Sequence, residues 1–121
     1  MQALYALPIV EIIPPNDAPF FDYQAKCNAS AGTICPSTLS LREKDELARL
    51  ARLAHETLEL SQYSRSDFIV GKDGIYFLET NTLPWLTEHT PIQKALDAVG
   101  CPYEHFVNHL VAEAVENRRE R

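Results

Sequence analysis

The chain has 121 residues, enough for one domain with an apolar core, and its 45% hydrophobic and 23% charged content is globular rather than disordered or fibrous. Seventeen acidic against 11 basic residues give a net charge of −6, and the basic ones are dispersed apart from Arg118, Arg119 and Arg121. That excludes the positive footprint of a nucleic-acid binder.

From Ala3 to Ile13 the residues are apolar and β-branched, with a stop at Pro14-Pro15-Asn16-Asp17, which predicts one strand and a turn, Pro8 marking a strand end or edge. Phe20 to Lys26 reads as a second short extended run, and the small polar stretch from Asn28 to Thr33 as a flexible loop. Ser40 with Glu43 three residues on is a capping box, and Leu47, Leu50, Ala51, Ala54 and Leu58 follow at helical spacing, so a helix is expected near 40–60. Two β-rich runs, 67–70 and 75–81, flank Gly71-Lys-Asp-Gly74 and predict an antiparallel hairpin around a four-residue glycine turn. A short helix from about Pro91 to Val99, broken at Gly100, and a last helix from about Tyr103 to Glu116 complete the chain.

Cys27, Cys35 and Cys101 are odd in number, with no C-x-x-C pair, so neither a disulfide framework nor a zinc knuckle is indicated. The first residues lack a basic leader, and no apolar run approaches the roughly 20 residues of a membrane span. The expected home is the cytoplasm, with no membrane partner.

The stretch that carries chemistry is Ser64-Arg-Ser-Asp-Phe68, then the glycine turn, then Leu78-Glu-Thr-Asn-Thr-Leu-Pro84. Alternation along a strand places residues two apart on one face, so Arg65 with Asp67, and Glu79 with Asn81, can converge across the hairpin. Two carboxylates and an amide oxygen suit a hard divalent cation, and an arginine beside them suits charge on a transferred phosphoryl group. By spacing alone, an outward salt-bridged cluster accounts for the same residues. His105 and His109 lie four apart on the last helix without the H-E-x-x-H frame, and read as surface or core residues.

An ordered string supplies more than spacing does: Ala6-Leu-Pro-Ile-Val-Glu-Ile12, Phe21-Asp-Tyr-Gln-Ala-Lys26, Cys35-Pro36, Tyr63-Ser-Arg-Ser-Asp-Phe68 and Leu78-Glu-Thr-Asn-Thr-Leu-Pro84. In order and gaps it resembles the D-alanine–D-alanine ligases of the ATP-grasp superfamily, along the C-terminal part of their chain. The resemblance implies an α+β fold, a mainly antiparallel sheet with helices packed on one face. It implies a site using ATP and two magnesium (or manganese) ions, with D-alanine as substrate. Asp67, Glu79 and Asn81 fall on the family's metal ligands, Arg65 on the arginine that stabilises the acyl-phosphate and tetrahedral states, and Lys26 on a lysine approaching the transferred phosphate. Thr90 falls where a serine hydroxyl usually holds the acceptor's carboxylate.

Two positions depart from that pattern. Trp85 stands where the family usually has a glycine whose N–H helps hold the oxyanion, and Cys27 where it often has a loop-ordering tyrosine. Either change puts the usual acceptor in question, and Trp85 is equally readable as a packing or interface residue. Glycine occurs only at 32, 71, 74 and 100, so the chain has no glycine-rich phosphate loop. The expectation is therefore the metal and acceptor side of a ligase site, inactive by itself and binding no cofactor alone, its other wall lying on further lobes. The alternatives are an ATP-grasp ligase part with a different acceptor, or a noncatalytic binding module. An apolar face left open would favour self-association, in the simplest case a homodimer.

Overall fold

The computed structural model describes residues 3–13 and 32–120. Strand β1 (Glu11–Ile13) pairs antiparallel with β2 (Gly32–Ile34), Ile12 opposite Thr33. The expected strand over Ala3–Ile13 is thus confined to its last three residues. A strand exists only where a partner does, β2 offers three residues, and Pro8 has no N–H to donate. One further bond, Ser37 N–H to the Ile9 carbonyl at 2.9 Å, holds the preceding segment. Gly32 and Thr33, expected in a flexible loop, lie in β2; the run from Phe20 to Lys26 lies outside the described residues.

Helix α1 (Leu41–Thr57) begins where the capping box places it: Ser40 Oγ accepts from Glu43 N–H at 3.2 Å, and Glu43 Oε1 accepts from Ser40 N–H at 3.2 Å. Leu47 and His55, eight residues apart and so on one helical face, are its buried side chains. The helix contacts both strands of the second ladder, β3 (Arg65–Gly71) and β4 (Gly74–Asn81). Helices α2 (Pro91–Ala98) and α3 (Tyr103–Arg119) follow, α2 burying Ile92, Ala95 and Leu96.

The architecture is α+β with antiparallel pairing, in two separate two-stranded sheets among the described residues rather than one sheet. The β3–β4 turn is tighter than expected: Gly71 pairs with Gly74, leaving Lys72 and Asp73 as a two-residue loop. Gly74 sits at φ +149°, a conformation that side-chain-bearing residues rarely adopt.

A one-residue bulge divides the hairpin. Arg65 pairs with Asn81 and Asp67 with Glu79, but Phe68 pairs with Phe77, so Leu78 is extra on β4. The offset brings Phe68 and Phe77 edge to face at 5.7 Å. One face of the hairpin then reads Arg65, Asp67 and Ile69 with Asn81, Glu79 and Tyr76; the other reads Ser66, Phe68 and Val70 with Thr80, Phe77 and Ile75. The second face is the less exposed, and Ser66 and Thr80 join their hydroxyls across it at 2.8 Å.

Candidate functional site

The wide end of the β3–β4 hairpin assembles the polar cluster. Arg65 lies half-buried beside Asp67 and donates through Nε to Oδ1 at 2.9 Å and through a terminal nitrogen to Oδ2 at 3.3 Å, a two-pronged ion pair. Side chains two apart on one strand face allow it. Glu79 lies directly opposite Asp67, at the separation where cross-strand side chains interact. Asn81, opposite Arg65, turns its Oδ1 back to accept the Leu83 N–H at 3.0 Å, closing the chain into the next loop.

The donor set is two carboxylates and one amide oxygen, all hard oxygen ligands. Among the described residues no group of three or more His, Cys, Asp or Glu side chains could hold a metal by itself. The set therefore fits a cation that brings or shares other oxygen ligands, as magnesium does with water and phosphate. Each Asp67 oxygen has a second lone pair beyond the one facing Arg65, so the ion pair does not exhaust its capacity as a ligand.

Thr90 is the N-cap residue of α2, yet its hydroxyl donates to the Thr87 carbonyl at 3.0 Å instead of capping the helix. Trp85 is 63% exposed on the loop between β4 and α2. Its backbone neighbours are held from two sides: Tyr63 Oη donates to the Pro84 carbonyl at 3.2 Å, and Tyr103 Oη donates to the Leu86 carbonyl. Tyr63 also packs edge to face on Phe106 of α3 at 5.6 Å, and burial, then Tyr103 nearby, pushes its phenol pKa up. Lys26 and Cys27 lie outside the described residues.

The cluster is thus Arg65, Asp67, Glu79 and Asn81 on one hairpin face, with Trp85 and Thr90 on the loop that follows. Sequence reasoning missed the support around it. His55, mid-helix by sequence, is buried and shares a 2.7 Å hydrogen bond between Nδ1 and Ser64 Oγ, which fixes the residue just before Arg65. Only a polar residue on the core face of the helical pattern could have signalled it. His109, itself well exposed, lies 3.9 Å from the largely covered side chain of Glu113 on α3. Open depressions along Leu41–Arg49 and between Thr33–Cys35 and Lys94–Ala98 include no residue of the hairpin.

A family model described as D-ala D-ala ligase C-terminus matches residues 2–112. The chain belongs to this family. It is 37% identical over 118 residues to a D-alanine–D-alanine ligase of Desulfotalea psychrophila, covering 96% of this chain and 37% of that protein. A D-alanine–D-alanine ligase of Syntrophobacter fumaroxidans is 38% identical over 115 residues, covering 94% and 37%. The crystal structure of the Bacillus anthracis D-alanine–D-alanine ligase complexed with ATP superposes with a TM-score of 0.75 at 26% identity, covering 94% of this chain and 35% of that one. A second structure of that enzyme gives 0.75 at 30% identity. The chain therefore spans a little over a third of the length of the ligases it matches. No helix among the described residues is long and apolar enough to cross a membrane.

Proposed function

We propose that this chain supplies the metal and acceptor side of an ATP-dependent D-alanine–D-alanine ligase, as part of a longer polypeptide. The observation that carries the reading is the hairpin cluster, in which Asp67 faces Glu79, Arg65 faces Asn81, and all four share the open face of the ladder. In the reaction, the carboxylate of one D-alanine attacks the γ-phosphorus of ATP, releasing ADP and forming an acyl phosphate. The amine of a second D-alanine then attacks the acyl carbon, phosphate leaves, and the amine loses a proton to give the dipeptide used in peptidoglycan.

Asp67, Glu79 and Asn81 would hold magnesium, or manganese, whose chemistry here is to neutralise the β- and γ-phosphates of ATP and align them. Arg65 donates toward negative charge that grows on the transferred phosphoryl oxygens and on the tetrahedral carbon's oxygen. Lys26 would approach the same phosphate. Thr90 would donate to the acceptor's carboxylate, which requires its O–H to leave the Thr87 carbonyl.

Trp85 favours a second reading of the acceptor. Its indole stands exposed beside the backbone N–H that would face the oxyanion, and a group of that size reshapes a pocket meant for a methyl side chain. A different acceptor, such as D-lactate, D-serine or another amine, is then the alternative. On the same hairpin Ile69, Tyr76, Phe77 and Leu78 are each more than half exposed, which supports association through this element, with further lobes or with a second copy as a homodimer.

The test is a ligase assay on a longer chain carrying these residues, with D-alanine, D-serine and D-lactate offered as acceptors alongside D-alanine and ATP. ADP formation dependent on D-alanine and divalent cation is expected. Turnover insensitive to Asp67→Asn and Glu79→Gln would refute the assignment.

A further inference from the structure

Three hydrogen bonds in its first half help fasten the loop from Thr82 to Thr90 to its surroundings. Leu83 N–H donates to Asn81 Oδ1 at 3.0 Å, the Pro84 carbonyl accepts from Tyr63 Oη at 3.2 Å, and the Leu86 carbonyl accepts from Tyr103 Oη. The two tyrosines belong to different parts of the chain: Tyr63 precedes β3, and Tyr103 opens α3. Helix α3 packs Phe106 against Tyr63 and accepts a Gln62 side-chain bond on the Leu110 carbonyl at 3.0 Å, so the two anchors are joined to one another.

The consequence falls on Asn81. An asparagine amide can present either its oxygen or its NH2 group to a given spot by turning about χ2, and only the oxygen ligates a cation. A backbone N–H accepts nothing, so a fixed Leu83 N–H selects the rotamer in which the oxygen faces it, and that oxygen retains a second lone pair. Bonds to the Pro84 and Leu86 carbonyls restrain the backbone that carries the Leu83 N–H. The tyrosine hydroxyls would therefore act on Asn81 through the backbone from Leu83 to Leu86.

We propose that Tyr63 and Tyr103 are positioning residues for the cation site, holding the loop so that Leu83 N–H presets Asn81 Oδ1 as a ligand. The proposal rests on the reading of Asp67, Glu79 and Asn81 as cation ligands. Coupling of this kind is reciprocal: if the fastened loop favours the cation, the cation must favour the fastened loop. The loop carries Trp85 and leads to Thr90, so cation capture would also steady the segment proposed for the acceptor.

The experiment uses a longer ligase chain carrying these residues, its backbone amides followed by NMR during titration with magnesium in the presence of ADP, whose phosphates supply the oxygen ligands that the cluster lacks. Magnesium is expected to move the signals of Asp67, Glu79 and Asn81, and to slow hydrogen exchange at the Leu83 amide about fivefold, the low end of typical coupling. Tyr63→Phe and Tyr103→Phe should each weaken magnesium binding several-fold and abolish the Leu83 slowing, with Asp67 and Glu79 remaining the residues that magnesium moves. If magnesium moves Asp67 and Glu79 but leaves Leu83 exchange unchanged in the unsubstituted chain, or if both variants match it in affinity and in Leu83 protection, the positioning role is overturned while the cation site stands. If magnesium moves neither carboxylate residue, both ideas fall. Tyr63→Phe keeps the ring on Phe106; thermal melts identify a variant that does not fold, and the Leu83 measurement needs no variant.

Discussion

Asp67 and Glu79 stand opposite one another across the β3–β4 ladder, and one residue further on the register has slipped so that Phe68 meets Phe77. The bulge lies between the polar end of the hairpin and its apolar end. Two carboxylates placed directly across a ladder repel unless a positive group is shared between them. Arg65, bound to both oxygens of Asp67, offsets the charge of one of the two, and a divalent cation would be shared by both.

In a longer ligase chain, Glu79→Gln should therefore reduce turnover by about 100-fold or more, since a cation's contribution to transition-state charge is several kcal/mol and each 1.4 kcal/mol is tenfold in rate. The melting temperature of the present chain should hardly change, because Glu79 is exposed. Steady-state kinetics with a parallel thermal melt check this, and a large loss of stability would point to a structural role instead.

Glu59 and Gln62, in the connection from α1 to β3, both adopt left-handed backbone, at φ +53° and +63°. A side-chain-bearing residue there costs roughly 1–2 kcal/mol, part of which glycine returns as unfolded-state entropy. Glu59→Gly is expected to stabilise the chain by about 0.5–1 kcal/mol, a rise of roughly 2–5 °C in Tm. Gln62→Gly should gain less, because it loses the bond from Nε2 to the Leu110 carbonyl. Calorimetry on both variants checks the order.

The His55–Ser64 bond joins the end of α1 to the residue before β3, and His55 is 7% exposed. Ser64→Ala leaves a buried imidazole nitrogen without its partner, at a cost of about 1–3 kcal/mol. A double-mutant cycle with His55→Ala should return a coupling of about 1 kcal/mol by denaturant melts, and additive effects would deny the bond a role in stability.

Stability should fall at both pH extremes for identifiable reasons. Glu11 accepts from the Thr38 hydroxyl and N–H and from the Ser37 hydroxyl, and the Thr38 bonds chiefly hold its pKa below the ordinary carboxylate value. Its contribution is present above that ordinary value, about 4.3, and is lost as pH falls through the lowered one. Tyr63 is shifted upward by burial, so its contribution is present below about 10 and is lost as pH rises beyond it. Chemical denaturation across pH should show an acid limb reduced by Glu11→Gln and an alkaline limb reduced by Tyr63→Phe.

Much of this protein was written locally. The capping box at Ser40 and Glu43, the helical spacing through Leu47, and the β-rich runs around Gly71 and Gly74 each depend on neighbours within a few residues, and all formed where expected. The ordered string from Ala6 to Pro84 carried the family, and the positions that matched its metal ligands and arginine are concentrated in one hairpin. The tertiary structure decided what depends on partners distant in sequence. The segment from Ala3 shrank to a three-residue strand because β2 offered no longer partner. Leu78 became a bulge, an offset that sets Phe77 edge to face with Phe68 and that strand alternation does not foretell. The burial of His55 against Ser64, and the fastening of the Trp85 loop by Tyr63 and Tyr103, depend on elements brought together only by folding, and a hydroxyl in a sequence does not say which carbonyl it will meet.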